Sequence, residues 1–309
     1  MRIVFMGTED FGLPALKRLA RQGNEVAGVV STPPRQRGRG LRLADSPVAA
    51  WARETGCGPV LTPERLNDPA FLSELRARDA DLFVVAAFRI LPPDVFAMPR
   101  LGTVNIHASL LPRYRGPAPI QRAIEAGETE TGVTIFKIDR GIDTGGIILS
   151  KATAIGEEET TPELYARLRE LGADALAEAV SLLERGKATC HPQDERHATK
   201  APKLLKEEAV LDFEEHARVL YNRVRAFKPF PGTYTMLNGR RLGVEWAHPL
   251  ESPGGRQPGT VCGISGDSFD IQCGRSVLRV LEVKPEGRKR MDAGAYLRGA
   301  RLETGTVLG

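Results

Sequence analysis

With 309 residues the chain is long enough for two domains and lies far above the size at which core burial becomes marginal. Its 41% hydrophobic and 27% charged content is that of an ordinary soluble globular protein, and no run of about 18 apolar residues exists, so no membrane span is expected. The net charge of +4 is unevenly spread: residues 203–309 hold 17 Lys and Arg against 13 Asp and Glu, while residues 1–202 balance at 26 against 26. A polyanionic partner for the last third follows as an expectation.

The chain opens on MRIVFMG, a buried strand from Arg2 to Phe5 and then a glycine turn. It has no basic leader, long apolar core or small-residue cleavage site, so no signal peptide is expected and the cytoplasm is the expected compartment. Leu13, Leu16 and Leu19 mark a helix with Pro14 in its first turn, and Glu25 to Val30 gives a second strand. This βαβ order predicts a parallel sheet of the Rossmann type. The turn GTEDFG fits neither GxGxxG nor GxxxxGK[ST], so a dinucleotide or phosphate loop is a weak reading.

Ser31 to Pro47 is the most basic segment, with Arg35, Arg37, Arg39 and Arg42 and no acidic residue before Asp45. It reads either as a solvated, disordered surface loop or as an arginine arm that orders on a nucleic acid. Val48 to Thr55 and Asp68 to Arg78 are predicted helices, and Leu82 to Ala87 is a central parallel strand leading into Phe88-Arg89-Ile90-Leu91-Pro92.

The stretch from Gly102 to Gly146 holds the candidate chemistry. Thr103 to Ile106 reads as a strand, and Asn105 and His107, two residues apart, share a face of it. Ser109 to Gly116 (SLLPRYRG) turns the chain, and Val133 to Ile138 leads into Gly141-Ile142-Asp143-Thr144-Gly145-Gly146. Taken singly, an Asn at a strand end caps a turn, a histidine is a satisfied structural residue and an Asp among glycines forms an Asx turn. Taken together, an amide donor, an imidazole and a carboxylate at strand ends and turns are the parts of an acyl-transfer site.

Beyond it come a strand at Ile147 to Ser150 and a long helix from Thr161 to Arg185. The polar run around Pro192 is predicted to be a linker, 192–206, dividing a domain at 1–191 from one at 207–309. In the latter a short helix, His216 to Phe227, precedes β-prone runs at Thr233–Leu237, Gly243–Trp246, Gly259–Cys262, Ser268–Cys273 and Val277–Val283, the pattern of a small barrel. Cys57, Cys190, Cys262 and Cys273 are scattered without CxxC or zinc spacing, so reduced thiols and no metal are expected.

N-I-H-x-S-L-L-P-x-Y-R-G, followed by E-T-G-V-T and G-x-D-T-G, resembles the folate-dependent formyltransferases, and most of all the branch that formylates an aminoacyl-tRNA. Phe5, Gly7, Thr8 and Phe11 match that branch's opening F-x-G-T-x-x-F, and R-A-F-K-P-F-P-G and K-P-E-G-R-K-R-M are similar to its C-terminal segments. The chain departs from it at AAFRILP, which lacks the glycine of AYGxILP, and at Lys200, where a tyrosine is usual.

The resemblance implies an OB-like C-terminal module, with 10-formyltetrahydrofolate as co-substrate, initiator methionyl-tRNA as acceptor and a monomeric enzyme. It implies catalytic roles for Asn105, His107 and Asp143, and folate contacts at Phe88, Ile90, Ser109, Leu110, Leu111 and Pro112. It also implies tRNA contacts from Arg35, Arg37, Arg39 and Arg42, with Gly38-Arg39-Gly40 corresponding to the G-R-G of the family's loop. Two rivals stay open, namely formylation of a nucleotide-linked amino sugar or glycinamide ribonucleotide, and a non-catalytic RNA-binding protein on a vestigial fold.

Overall fold

The computed structural model describes residues 1–37, 42–252 and 255–309. They fall into two compact units. One holds Met1–Pro119, Glu130–Ala154 and Tyr165–Ala201, and the other Ile120–Thr129, Ile155–Leu164 and Pro202–Gly309.

The chain runs β1 (Arg2–Gly7), α1 (Leu13–Arg21), β2 (Glu25–Val30), β3 (Arg35–Arg37), β4 (Arg42–Ala44), α2 (Pro47–Thr55), β5 (Val60–Leu61), α3 (Pro69–Arg76), β6 (Leu82–Ala86), α4 (Pro93–Phe96) and β7 (Thr103–His107). Then come α5 (Pro119–Glu125), β8 (Glu130–Lys137), β9 (Ile147–Ala154) and α6 (Thr161–Glu184). Local chemistry sets the helix starts. Ser46 Oγ accepts from Ala49 N ahead of α2 and Asp68 Oδ2 accepts from Phe71 N ahead of α3, each with a proline at the first helical position.

The seven strands of the first unit lie in the order β5-β2-β1-β6-β7-β8-β9. From β5 to β7 neighbours are parallel, whereas β8 and β9 pair antiparallel. The expectation of a parallel sheet therefore holds for five strands and is corrected at the edge. Apolar runs such as β8 do not encode direction; the connection does. A parallel neighbour needs a crossover over the sheet face, but the connecting helix α5 groups from Ile120 onward with the other unit. β6 and β1 are buried almost throughout, as strands sandwiched on both faces should be.

The basic segment is a two-stranded hairpin along its flanks, with Arg35 opposite Ala44, Gln36 opposite Leu43 and Arg37 opposite Arg42. Arg39 lies outside the described residues.

The second unit continues with α7 (Ala217–Ala226), β10 (Tyr234–Leu237), β11 (Arg240–Leu250), β12 (Val261–Ile264), β13 (Phe269–Gln272), β14 (Val277–Pro285), β15 (Met291–Asp292) and α8 (Ala293–Gly299). Its antiparallel sheet runs β10-β11-β14-β13-β12, with β15 also on β14, and curls into a half-barrel. Register shifts in β11 near Val244, Trp246 and Ala247 mark where the sheet bends. Leu220, Tyr221 and Val224 of α7 enter its core beside Val244, Ile271 and Val280. Among the described residues no helix is long and apolar enough to cross a membrane.

Candidate active site

β7 sits between β6 and β8, with Asn105 opposite Val85 on one side and Phe136 on the other, and His107 opposite Thr134. The two side chains reach the carboxyl end of the parallel strands, the edge at which open α/β sheets bind ligands.

The buried His107 ring makes a hydrogen bond at one nitrogen and faces a carboxylate with the other. Nε2 lies 2.8 Å from the Tyr114 carbonyl oxygen, and since a carbonyl can only accept, Nε2 carries the hydrogen there. Nδ1 faces Asp143 Oδ2 at 3.6 Å. The ring stands edge-on to Phe136, centroids 6.4 Å apart. Asp143 Oδ2 in turn accepts from Gly116 N at 2.8 Å. Both groups that grip the imidazole sit on left-handed backbone, Tyr114 at φ 60° and Asp143 at φ 55°. Non-glycine residues adopt that region at a cost, so neighbouring contacts must hold them there.

Several of those contacts come from residues 193–201. Tyr114 N donates to Thr199 Oγ1 at 2.8 Å, and Arg115 exchanges backbone hydrogen bonds with Thr199 and Ala201. Gly116 is required at its position, because a Cβ there would stand 2.7 Å from the Ala201 carbonyl oxygen at a φ of +123°.

Asn105 completes the set with an open valence. Its Oδ1 is buried and has no hydrogen-bond partner. A buried carboxamide atom left unpaired is costly, which makes it a position where a bound group can pair. Because an amide can be turned by 180°, the orphaned position can present either the oxygen or the N–H₂ group.

The SLLP turn is pinned to β8. Ser109 Oγ donates to Arg113 O at 2.6 Å, while Thr134 Oγ1 donates to Ser109 O at 2.7 Å and accepts from Leu111 N at 3.1 Å. Ser109 and Leu111 are buried, and Leu110 and Pro112 are half-buried. After β6 the chain turns at Ala87, φ 47°. Phe88 packs on the cluster containing Val4, Met6 and Phe83, whereas Ile90 is 79% exposed. Arg89 donates to the Pro63 and Glu64 carbonyls at 3.0 Å each. Burial, aided by the nearby Arg35 guanidinium, draws its pKa below the usual arginine value. Arg35 is exposed at the start of the hairpin. Among the described residues no group of three or more His, Cys, Asp or Glu is placed to hold a metal.

His107 and Asp143 thus come together, and Asn105 lies two residues before His107 on the same strand, in the segments where the sequence places an amide, an imidazole and a carboxylate. Nothing in the sequence marks Tyr114 O, Gly116 N, Gln193 or Thr199. Two of these act through the backbone, which carries no residue code. The other two lie in a polar run without periodicity, which reads as linker.

An amide, an imidazole and a carboxylate on an α/β sheet are the parts that a group-transfer site needs. The chain belongs to the formyl transferase family: the family's "Formyl transferase" model matches residues 1–180 and its "Formyl transferase, C-terminal domain" model matches residues 203–301. It is 42% identical to methionyl-tRNA formyltransferase of Caldanaerobacter subterraneus subsp. tengcongensis over all of both chains. It is 44% identical to that of Syntrophus aciditrophicus over 99% of this chain and 98% of the relative. Among solved structures, WlaRD, a sugar 3N-formyl transferase crystallised with dTDP and 5-N-formyl-THF, aligns with TM-score 0.68 at 17% identity, covering 94% of this chain and 99% of that one. That last likeness speaks to fold alone.

Proposed function

We infer that the protein transfers the formyl group of 10-formyltetrahydrofolate to the α-amine of methionine on initiator methionyl-tRNA. The observation that carries the reading is the His107 ring gripped between Tyr114 O and Asp143, on the same strand face as an Asn105 carboxamide with an unpaired buried atom. It stands in a chain that aligns end to end with methionyl-tRNA formyltransferases.

Attack of a neutral amine on an N-formyl carbon places negative charge on the formyl oxygen and positive charge on the attacking nitrogen. The new C–N bond replaces the bond to N10, one proton leaves the attacking nitrogen and one arrives at N10. Asn105 donates its amide hydrogen to the charged oxygen, worth roughly 2.7–4 kcal/mol for a single such donor. His107 stabilises that oxygen or carries the proton, a contribution of about 10²–10⁴ in rate. Asp143 holds the imidazole in its useful orientation and relays protons through water. No covalent enzyme intermediate is needed, and Ser109, its hydroxyl committed to Arg113 O, lies in no G-x-S-x-G elbow.

The orphaned Asn105 atom fits a formyl donor, and Phe88, Ile90 and Ser109 to Pro112 are the residues we assign to holding it. Arg35, Arg37, Arg39 and Arg42 are assigned to the tRNA, together with a basic C-terminal surface that includes Arg240, Arg241, Lys284, Arg288 and Lys289. In this scheme residues 1–191 form the catalytic domain and residues 207–309 an OB-like tRNA-binding domain, with 192–206 between them. The enzyme acts as a monomer in the cytoplasm. The arm and the C-terminal charge favour a tRNA over a nucleotide sugar, since a small acceptor requires neither. The test is direct: incubation with 10-formyltetrahydrofolate and charged initiator tRNA should yield formylmethionyl-tRNA. Formylation of glycinamide ribonucleotide or an amino sugar instead, or of nothing, would overturn it.

A further inference from the structure

We propose that Gln193 is a positioning residue that sets Asp143 against His107, an inference that rests on the formyl-transfer reading above.

All four hydrogen-bonding positions of the Gln193 carboxamide are used, and together they link two catalytic turns. Nε2 donates to the Asp143 carbonyl and to the Gly145 carbonyl, both at 2.8 Å. Oε1 accepts from Arg115 Nε at 3.0 Å and from its terminal nitrogen at 2.7 Å. The Arg115 guanidinium then continues to Glu195 through two further bonds at 2.7 and 2.9 Å. Gln193 therefore joins the G-I-D-T-G turn to the Y-R-G turn, the one carrying Asp143 and the other supplying Tyr114 O and Gly116 N to the same imidazole and carboxylate.

The need for such a clamp follows from the backbone. Asp143 sits at φ 55°, a conformation that a non-glycine residue keeps only where its surroundings impose it. Its carboxylate is held at one oxygen by Gly116 N, and its own carbonyl is held by Gln193. Without the second hold, the peptide plane between Asp143 and Thr144 can rotate and the carboxylate can swing away from Nδ1. Gln is the side chain suited to this place: one end must donate twice to carbonyls while the other accepts twice from a guanidinium. Glu cannot donate, and its charge would be drawn to Arg115 while repelling both carbonyls.

The experiment compares wild type, Gln193→Ala, Gln193→Glu and Asp143→Ala in formylation of charged initiator tRNA, with the double variant Gln193→Ala/Asp143→Ala closing a cycle. The expected result is a tenfold to hundredfold fall in kcat for both Gln193 variants. KM for folate and for tRNA should stay within about twofold, and the double variant should be no slower than Asp143→Ala alone. Full turnover in both Gln193 variants would overturn the assignment. So would losses that multiply in the double variant, since they would mean that Gln193 acts independently of Asp143. An inactive wild type in the same assay would instead refute the formyl-transfer reading itself, so the two failures are distinguishable.

Discussion

Gly116 N donates to Asp143 Oδ2 at 2.8 Å, and through that bond a glycine on one loop aims a carboxylate on another at the His107 ring. The donor is a backbone group at φ +123° that tolerates no side chain, because Ala201 O closes the space where a Cβ would go. The acceptor is a side chain whose own backbone is left-handed. Neither partner is held by regular secondary structure, so the geometry of the site depends on how the loops fasten one another.

Removing the proposed charge-stabilising groups should lower chemistry without unfolding the chain. Asn105→Ala and His107→Ala should each lower turnover at least about a hundredfold. The thermal midpoint should change little, because the Asn105 oxygen is unpaired and the His107 contacts lie at the end of a strand rather than inside the sheet core. Steady-state rates together with a thermal melt decide the matter. Near-normal turnover in both variants would remove these residues from the mechanism.

Two substitutions at Asp143 separate charge from backbone. Asparagine accepts a left-handed φ readily and its carboxamide oxygen can still accept from Gly116 N, so Asp143→Asn should fold like wild type and lose turnover through the missing charge. Asp143→Val places a β-branched residue at φ 55° and removes the acceptor, so it should lose both turnover and thermal stability. Undiminished turnover in the asparagine variant would show that the carboxylate charge is not used.

The contrast between these residues explains what could be read from the sequence. Asn105 and His107 lie on a strand whose two-residue period puts them on one face, so their convergence was legible from spacing alone. Asp143 was legible as a carboxylate in a glycine turn, but its approach to His107 depends on Gly116 N and Gln193. Those bonds join residues 27 and 50 apart in sequence, and no periodicity encodes them. The strand order was partly legible for a related reason. β1, β2 and β6 announce parallel pairing through the helices between them, whereas the reversal at β8 depends on where α5 packs. α8 escapes a reading by pattern because AGAYLRG holds two glycines, and its formation depends on burying Ala293 against the second core.

The arginine hairpin leads to a prediction about salt and substrate. Arg35 opens a two-stranded ribbon in which the backbone at position 37 pairs with that at position 42, and the sequence from 35 to 42 carries Arg35, Arg37, Arg39 and Arg42 without an acidic residue. Arg35→Ala and Arg39→Ala should raise KM for charged tRNA while leaving folate affinity within about twofold. Wild-type tRNA binding should weaken steeply with salt, and each substitution that frees one phosphate should make the log–log slope shallower by about one. Filter binding across a salt series measures this. A flat salt profile, or an equal loss of folate affinity, would count against the arm.

The turn that carries Asp143 should also depend on one glycine for space. A Cβ at Gly145 would collide with the Lys137 carbonyl oxygen and stand 2.8 Å from its carbonyl carbon. Both are backbone atoms of β8 and cannot swing aside as a side chain would. Gly145→Ala should therefore push the turn away from β8, break the bond from Gln193 to the Gly145 carbonyl and take Asp143 with it. Gly186, just past α6, supplies the control: its φ is +65° but nothing stands within 4 Å of a Cβ there. Gly186→Ala should cost about 1 kcal/mol in backbone preference and leave turnover unchanged. Turnover and urea midpoints measured on both variants discriminate steric closure from mere loss of a glycine. Equal, mild effects at the two positions would mean that the turn around Asp143 is looser than the close approach of Gly145 to β8 requires.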